Sequence, residues 1–141
     1  MLVPSKRLVY AVEAVLYIAY HDHEGPVAAS TLAHAQNLPT RYLEPLLQKL
    51  VRHGVLRGTR GPQGGYVLAQ ERQHISLYTI YQTLDETHEI PKGNTPIGAQ
   101  ILYPALQREQ RRFEQSLTQI TLADLCDQAT KKFATTIATD F

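Results

Sequence analysis

Leu43, Leu46, Leu47, Leu50 and Val51 fall at i, i+3, i+4, i+7 and i+8 and make the cleanest helical pattern in the chain. Apolar residues at those steps form one continuous stripe, which a helix must bury. The opposite face carries Arg41, Glu44, Gln48, Lys49 and Arg52. Gly54 follows where a left-handed residue closes a helix. Pro45 conflicts with the pattern, because an internal proline clashes with the preceding turn or removes a hydrogen bond. It predicts a loosened or kinked start to this helix.

The flanking segments supply partners for the stripe. Leu8, Val9, Val12, Val15, Leu16 and Ala19 predict an amphipathic helix from a Ser5 N-cap to about Tyr20. The run 21–26 breaks it, a short helix with Leu32, Ala33 and Ala35 inward follows, and Asn37-Leu38-Pro39 turns a corner. Downstream, residues 55–59 and 66–68 are β-prone, separated by Arg60-Gly61-Pro62-Gln63-Gly64-Gly65 as by a hairpin tip. Ser76 then caps a helix with Leu77, Ile80, Tyr81 and Leu84 on one side, and a polar loop is expected from about Glu86 to Gly98. Leu102, Leu106, Phe113, Leu117 and Ile120 form a long stripe interrupted by Glu109. Thr121 and Asp124 resemble a capping box opening a last helix, Leu122 to about Phe133.

Helix, short helix, corner, amphipathic helix and two-stranded wing is the order of a winged helix-turn-helix. The fold class expected is mainly α with a small β-wing and a long C-terminal dimerisation helix. Residues 1–85 form the reading domain, and 86–141 form the loop, dimerisation helix and last helix. A helix entering the major groove needs a buried stripe to hold it and polar side chains to meet base edges. Arg41, Lys49 and Arg52 suit guanine or phosphate, whereas Glu44 can accept only from a cytosine amine and repels wrong sites. Arg60 beside glycines can reach a narrow minor groove, and the glycines expose N–H groups to phosphate. The alternative is a protein-interaction module that keeps this fold without contacting nucleic acid.

Charge supports the first reading through its distribution. The formal net charge is only +1. Between Arg41 and Arg72, however, cations at 41, 49, 52, 57, 60 and 72 face only Glu44 and Glu71, and beyond Arg72 the acids outnumber the cations. The first region suits a phosphate-facing surface, although such a bias also describes an ordinary solvated face. The single cysteine, Cys126, excludes an internal disulfide framework. No apolar run is long enough to cross a bilayer, and the first residues do not read as a secretion signal. A cytoplasmic location is expected.

Leu8-Val9-Tyr10-Ala11-Val12, Gly25-Pro26-Val27, Arg41-Tyr42-Leu43-Glu44 and above all Arg60-Gly61-Pro62-Gln63-Gly64-Gly65-Tyr66 resemble the Rrf-two family of bacterial transcription regulators. The resemblance is close over roughly the first 85 residues and loose beyond. It implies a homodimer on a palindromic duplex operator, with recognition helices in successive major grooves and wings at the minor groove. Tyr42 and Glu44 match recognition-helix positions and Arg60 the minor-groove arginine, while Arg41 replaces a small polar residue, so operator preference is expected to differ. The expected DNA-contacting set is Arg41, Tyr42, Glu44, Gln48, Lys49, Arg52, Arg60, Gly61, Gly64 and Gly65. The expected dimerisation set is Leu102, Leu106, Phe113, Leu117 and Ile120. Cluster-binding relatives carry three cysteines before the dimerisation helix. The matching stretch here, about Glu86 to Pro104, has none, so the resemblance implies a member without an iron–sulfur cluster.

The remaining residue groups favour plain roles. Cys126 lies near Asp124 and Asp127, which disfavour a reactive thiolate, and reads as structural. His21 and His23 with Asp22 and Glu24 loosely resemble a metal clamp but suit a solvated turn, and no metal is expected. Tyr10, Tyr17, Tyr20, Tyr78 and Tyr81 could line a pocket for an unknown small-molecule effector, though packing with the hydroxyls at the rim is the commoner role. Arg108, Arg111 and Arg112 read as a solvated face. Gly61 to Gly65 links two strands and opens no helix, so it is not a nucleotide loop, and nothing points to an enzyme.

Overall fold

The computed structural model describes residues 4–84 and 89–139, with side chains to residue 134. Helix α1, Lys6–Tyr20, starts where the Ser5 side chain accepts from the Leu8 N–H at 3.1 Å. It buries Leu8, Ala11, Ala14, Val15, Ile18 and Ala19. Val9, expected inside, is 51% exposed, because it sits roughly 100° round the helix from Leu8, whose row sets the buried face. After a 3-10 turn at Asp22–Glu24, α2 (Ala29–Gln36) buries Leu32 and Ala33. Ala35, also expected inside, is exposed, since two turns present only a narrow inner face. Asn37, at φ 55°, ends α2, and the Leu38 N–H returns to the Ala33 carbonyl at 2.9 Å. That closure turns the chain into the next helix.

Helix α3, Thr40–Arg52, buries Leu43, Leu46, Leu47 and Leu50, with Val51 half-buried. Each leucine removed from water contributes about 1.5–3 kcal/mol. The helix runs through Pro45 unbroken. Loosening is confined to the first turn, where Tyr42 and Leu43 both donate to the Pro39 carbonyl, at 3.0 and 3.4 Å. Pro45 is exposed, so the carbonyl it leaves unbonded can be hydrated. At the other end Val55 donates to Leu50 at 2.9 Å and Gly54 to Val51 at 3.0 Å. This pair is the closure expected of a C′ glycine, and it delivers the chain directly into the wing.

The wing is an antiparallel hairpin of β1 (Leu56–Thr59) and β2 (Gly65–Leu68), pairing Leu56 with Leu68 and Thr59 with Gly65. A third segment touches it through Val27, which exchanges hydrogen bonds with Tyr66 at 2.8 and 3.0 Å. Helix α4, Leu77–Thr83, opens on a reciprocal capping box between Ser76 and Thr79. Residues 86–88 of the expected loop lie outside the described residues. The chain is helical again from Pro96, earlier than expected, because Thr95 caps this start by accepting from the Gly98 N–H at 3.1 Å. A proline one position inside a capped start is favourable. A π-helical turn at Gly98–Leu102 leads into α5, Tyr103–Thr118.

Thr121 and Asp124 form the expected reciprocal box, at 3.1 and 3.2 Å. The helix they open, α6, extends from Leu122 to Thr139, past the expected end. It returns to the first half of the chain. Leu122 donates to Ile75 and Leu77 to Ile120, both at 2.9 Å, and Leu122 and Cys126 join the same core as α1, α3 and α4.

Gly65 sits where the wing crosses Val27. A Cβ there would lie 2.5 Å from the Val27 carbonyl carbon and oxygen, both backbone atoms that cannot swing aside. Gly65→Ala is expected to lower stability by about 1–3 kcal/mol, read as a lower denaturant midpoint with an unchanged slope; an unaltered midpoint would show that the crossing is not a tight contact.

Candidate nucleic-acid interface

With the leucine row turned inward, the helical repeat of 3.6 residues per turn places Arg41, Pro45, Gln48 and Arg52 in one narrow outward strip of α3. All four are exposed. Glu44 is exposed on one flank of the strip and Tyr42 on the other. Tyr42 is 39% exposed and meets the Tyr10 ring edge-on at 5.9 Å, which ties the start of α3 to α1. Gln48 donates to the Tyr66 hydroxyl at 3.1 Å and so links the middle of α3 to β2. The helix and the wing are therefore joined along one edge.

Lys49, expected on the outer face, is half-buried and donates to the Leu84 carbonyl at 3.4 Å. Arg7 donates to the same carbonyl at 3.2 Å. Two cations from α1 and α3 thus converge on the end of α4. Lys49 flanks the strip on the side nearer α4, which the sequence could show only as "not in the leucine row".

At the wing, Arg60 is exposed at the hairpin tip and Arg57 is exposed on β1. Arg57 was not singled out from the sequence. Strand alternation, with Leu56 inward, was the signal for it. The wing glycines have structural reasons of their own. A Cβ on Gly64 would lie 2.4 Å from the Thr59 carbonyl oxygen, and Gly61 adopts φ 105°. The Thr59 hydroxyl also accepts from the Gly65 N–H at 3.1 Å. These glycines make the tip thin, and Arg60 is exposed there together with Pro62 and Gln63.

The tyrosines are engaged in packing. Tyr17 lies tilted against His21 at 4.2 Å, Tyr20 meets Phe133 at 5.7 Å, and Tyr81 meets Phe113 at 6.3 Å. His21 and His23 each approach a different oxygen of Glu24, at 3.4 and 3.6 Å, while Asp22 is paired with Arg72 at 3.0 Å. The expected dimerisation stripe divides. Leu117 is buried within the chain, and Leu106, Phe113 and Ile120 are half-buried. Leu102 is 56% exposed, beside Ile101 at 65% and Ile97 at 71%, two residues the sequence reading did not include. The π-helical turn causes this, because it shifts the phase of the residues before Tyr103 relative to a regular repeat.

Three helices followed by a hairpin wing, with the third helix presenting a polar outer strip, define a winged helix-turn-helix. Comparison with known proteins agrees. Residues 4–128 match the Rrf2 (Rrf-two) family, described as iron-dependent transcriptional regulators. An IscR-type regulator of Erwinia tasmaniensis is 35% identical over 82% of this chain and 73% of its own. An HTH-type regulator of Synechocystis is 38% identical over 82% of each chain. Among solved structures, T. potens IscR superposes with a TM-score of 0.76 at 31% identity, covering 90% of this chain and 88% of that one. CymR of B. subtilis gives 0.74 at 27% identity, covering 91% and 98%. The chain belongs to the Rrf2 family of winged-helix, DNA-binding transcription regulators. Among the described residues, no helix is long and apolar enough to cross a membrane.

Cys126 is 2% exposed. Burial pushes its thiol pKa up, Arg72 opposes that shift, and Asp22 and Asp127 add to it. A protonated, enclosed thiol is a poor nucleophile. Native protein is expected to react with a soluble thiol reagent about 100-fold more slowly than the urea-unfolded chain; equal rates would show that Cys126 is accessible in the fold.

Proposed function

We propose that this chain is a homodimeric, sequence-specific operator-binding repressor that acts in the cytoplasm without an iron–sulfur cluster. The observation that carries the reading is the exposed strip of Arg41, Gln48 and Arg52 on α3, joined through Tyr66 to a wing carrying Arg57 and Arg60. The strip offers hydrogen-bonding groups to base edges and cations to phosphate, while the opposite face is held in the core. Glu44 beside it penalises sites that lack a donor at that position. The wing arginine at a thin tip suits a narrow minor groove.

Residues 1–85 are the reading domain, and 86–141 supply the pairing arm. Ile97, Ile101 and Leu102 support the arm's role, since three large apolar side chains exposed together at its start are costly to leave in water. A second copy covering that face would be related by a two-fold axis. The operator is then palindromic, with half-sites on the order of one helical turn apart or more. A homodimer occupying a promoter in this way excludes other proteins from it, which is the basis of the repressor reading.

The donor chemistry supports a cluster-free regulator. Cluster iron takes several thiolates, with imidazole in part. The chain has one cysteine, and the stretch from Glu86 to Pro104 offers no thiol and the single imidazole of His88, a poor ligand set for a cluster. Cys126 is enclosed on α6 with a raised pKa. Among the described residues, no three metal-ligating side chains gather. The residues present do not fit the cluster, and no step of this function runs through iron.

Arg60→Ala is expected to weaken operator binding by about 1–3 kcal/mol in a titration at fixed salt; unchanged affinity would remove the wing from the interface. Ile101→Glu places a charge on the exposed apolar face without touching the core. It is expected to yield folded monomer by light scattering, with operator affinity lost, and a variant that remains dimeric would relocate the pairing surface.

A further inference from the structure

Gln48 stands on the outward strip of α3 between Pro45 and Arg52, and its amide is already half engaged. Its Nε2 donates to the Tyr66 hydroxyl at 3.1 Å. Among the described residues, neither side chain makes another hydrogen bond. The two partners differ in stiffness. Gln48 is exposed on a chain of rotatable bonds, whereas Tyr66 is half-buried and packs against the core. The Tyr66 backbone is held on both sides, by its pairing with Gly58 in the hairpin and by the two bonds it exchanges with Val27 at 2.8 and 3.0 Å. The phenol is therefore the fixed partner, and the amide is the one that is oriented.

A side-chain amide carries one acceptor oxygen and two N–H donors. With one N–H committed to Tyr66, Gln48 is left with one donor and one acceptor. In the major groove only adenine offers the complement on a single base, an N6 donor beside the N7 acceptor. Guanine offers two acceptors, O6 and N7, and would leave the amide oxygen facing one of them. Cytosine offers a donor alone, and thymine an acceptor beside a methyl group. A Gln48 free of Tyr66 could turn both N–H groups toward guanine. The bond to Tyr66 removes that alternative. Arg41 and Arg52, at the two ends of the strip, have the charge for phosphate, and the uncharged amide between them suits a base edge.

We propose that Gln48 reads an adenine in each operator half-site and that Tyr66 is the positioning residue that enforces this choice. The assignment rests on the regulator reading and names the base at one point of its interface. Tyr66 need touch no base. It acts by holding one amide hydrogen, so its effect is confined to the position that Gln48 meets. A tyrosine that only braced the wing would weaken all sites alike. The opposite arrangement, with the hydroxyl donating to Oε1, would leave two N–H groups and select guanine. The identity of the base therefore reports the direction of the bond.

The test is selection of bound sites from a random duplex pool by the full-length protein. Competition titrations at fixed salt follow, with duplexes that differ at one position per half-site. The parent is expected to select an A·T pair at a position whose preference vanishes in Gln48→Ala, and to favour it there over G·C by about tenfold. Tyr66→Phe keeps the ring and is expected to cut that preference to about threefold or less, with the preferences at other positions kept. In the Gln48→Ala background, Tyr66→Phe is expected to change nothing further at that position. Thermal midpoints close to the parent's establish that the variants are folded. A G·C pair at the Gln48-dependent position overturns the proposal. So does unchanged discrimination in Tyr66→Phe, or a uniform loss across all positions. A selected motif that ignores Gln48→Ala overturns it while the regulator reading stands, and a protein that selects no motif overturns the regulator reading and this assignment with it.

Discussion

The inward row of Leu43, Leu46, Leu47 and Leu50 is the contact on which the rest of the molecule depends. It fixes the rotation of α3 about its own axis, and so decides which side chains can face a duplex. Rotating the helix by one residue would bury Arg41 or Gln48 and expose a leucine. Neither is tolerable, because an unpaired charge or amide in the core costs more than the stripe could recover. The C-terminal closure at Gly54 extends this control to the wing. Val55, buried completely, is both the last partner of the closure and the residue before β1, so helix and hairpin inherit one orientation.

Most of the exposed edge formed by α3 and the wing was legible in the sequence because its determinants are local. The stripe of α3, the Ser5 and Ser76 caps, the Gly54 closure and the Thr121–Asp124 box are short-range patterns, and each appears where its residues place it. What could not be read depends on neighbours distant in sequence. Lys49 is polar and lies off the leucine row, yet it bonds to Leu84, 35 residues away. The wing glycines looked like openings for phosphate, but the crossing of Val27 over Gly65 gives at least one of them a packing reason. The early start of the arm was missed for a different reason. Thr95-Pro96 is a local cap signal, but it was masked by a run of prolines and glycines that read as loop.

The arm illustrates how a local irregularity changes a surface. An uninterrupted 3.6-residue repeat from Leu102 to Ile120 would make one seam. The π-helical turn at Gly98–Leu102 instead sets Ile97, Ile101 and Leu102 apart from Phe113 and Leu117, which pack inside the chain. The helix therefore holds on to its own domain with one end and presents apolar surface with the other. This division also accounts for α6, whose return across the first half of the chain anchors the C-terminal end of α5 through Leu122 and Cys126.

The convergence on Leu84 ties these parts together. The carbonyl there accepts from Arg7 of α1 and from Lys49 of α3, so three helices meet at one acceptor at the end of α4. A carbonyl at a helix end has no intrahelical partner and attracts cations. Two long, flexible cations are a soft way to supply them, because each can follow a small displacement of the acceptor before its bond breaks. Lys49 lies one position from Gln48, which holds the wing. The end of α4 is thus joined to the same turn of α3 that bonds the hairpin. The core keeps the rotation of α3 fixed, and this polar contact ties one flank of the helix to the end of α4.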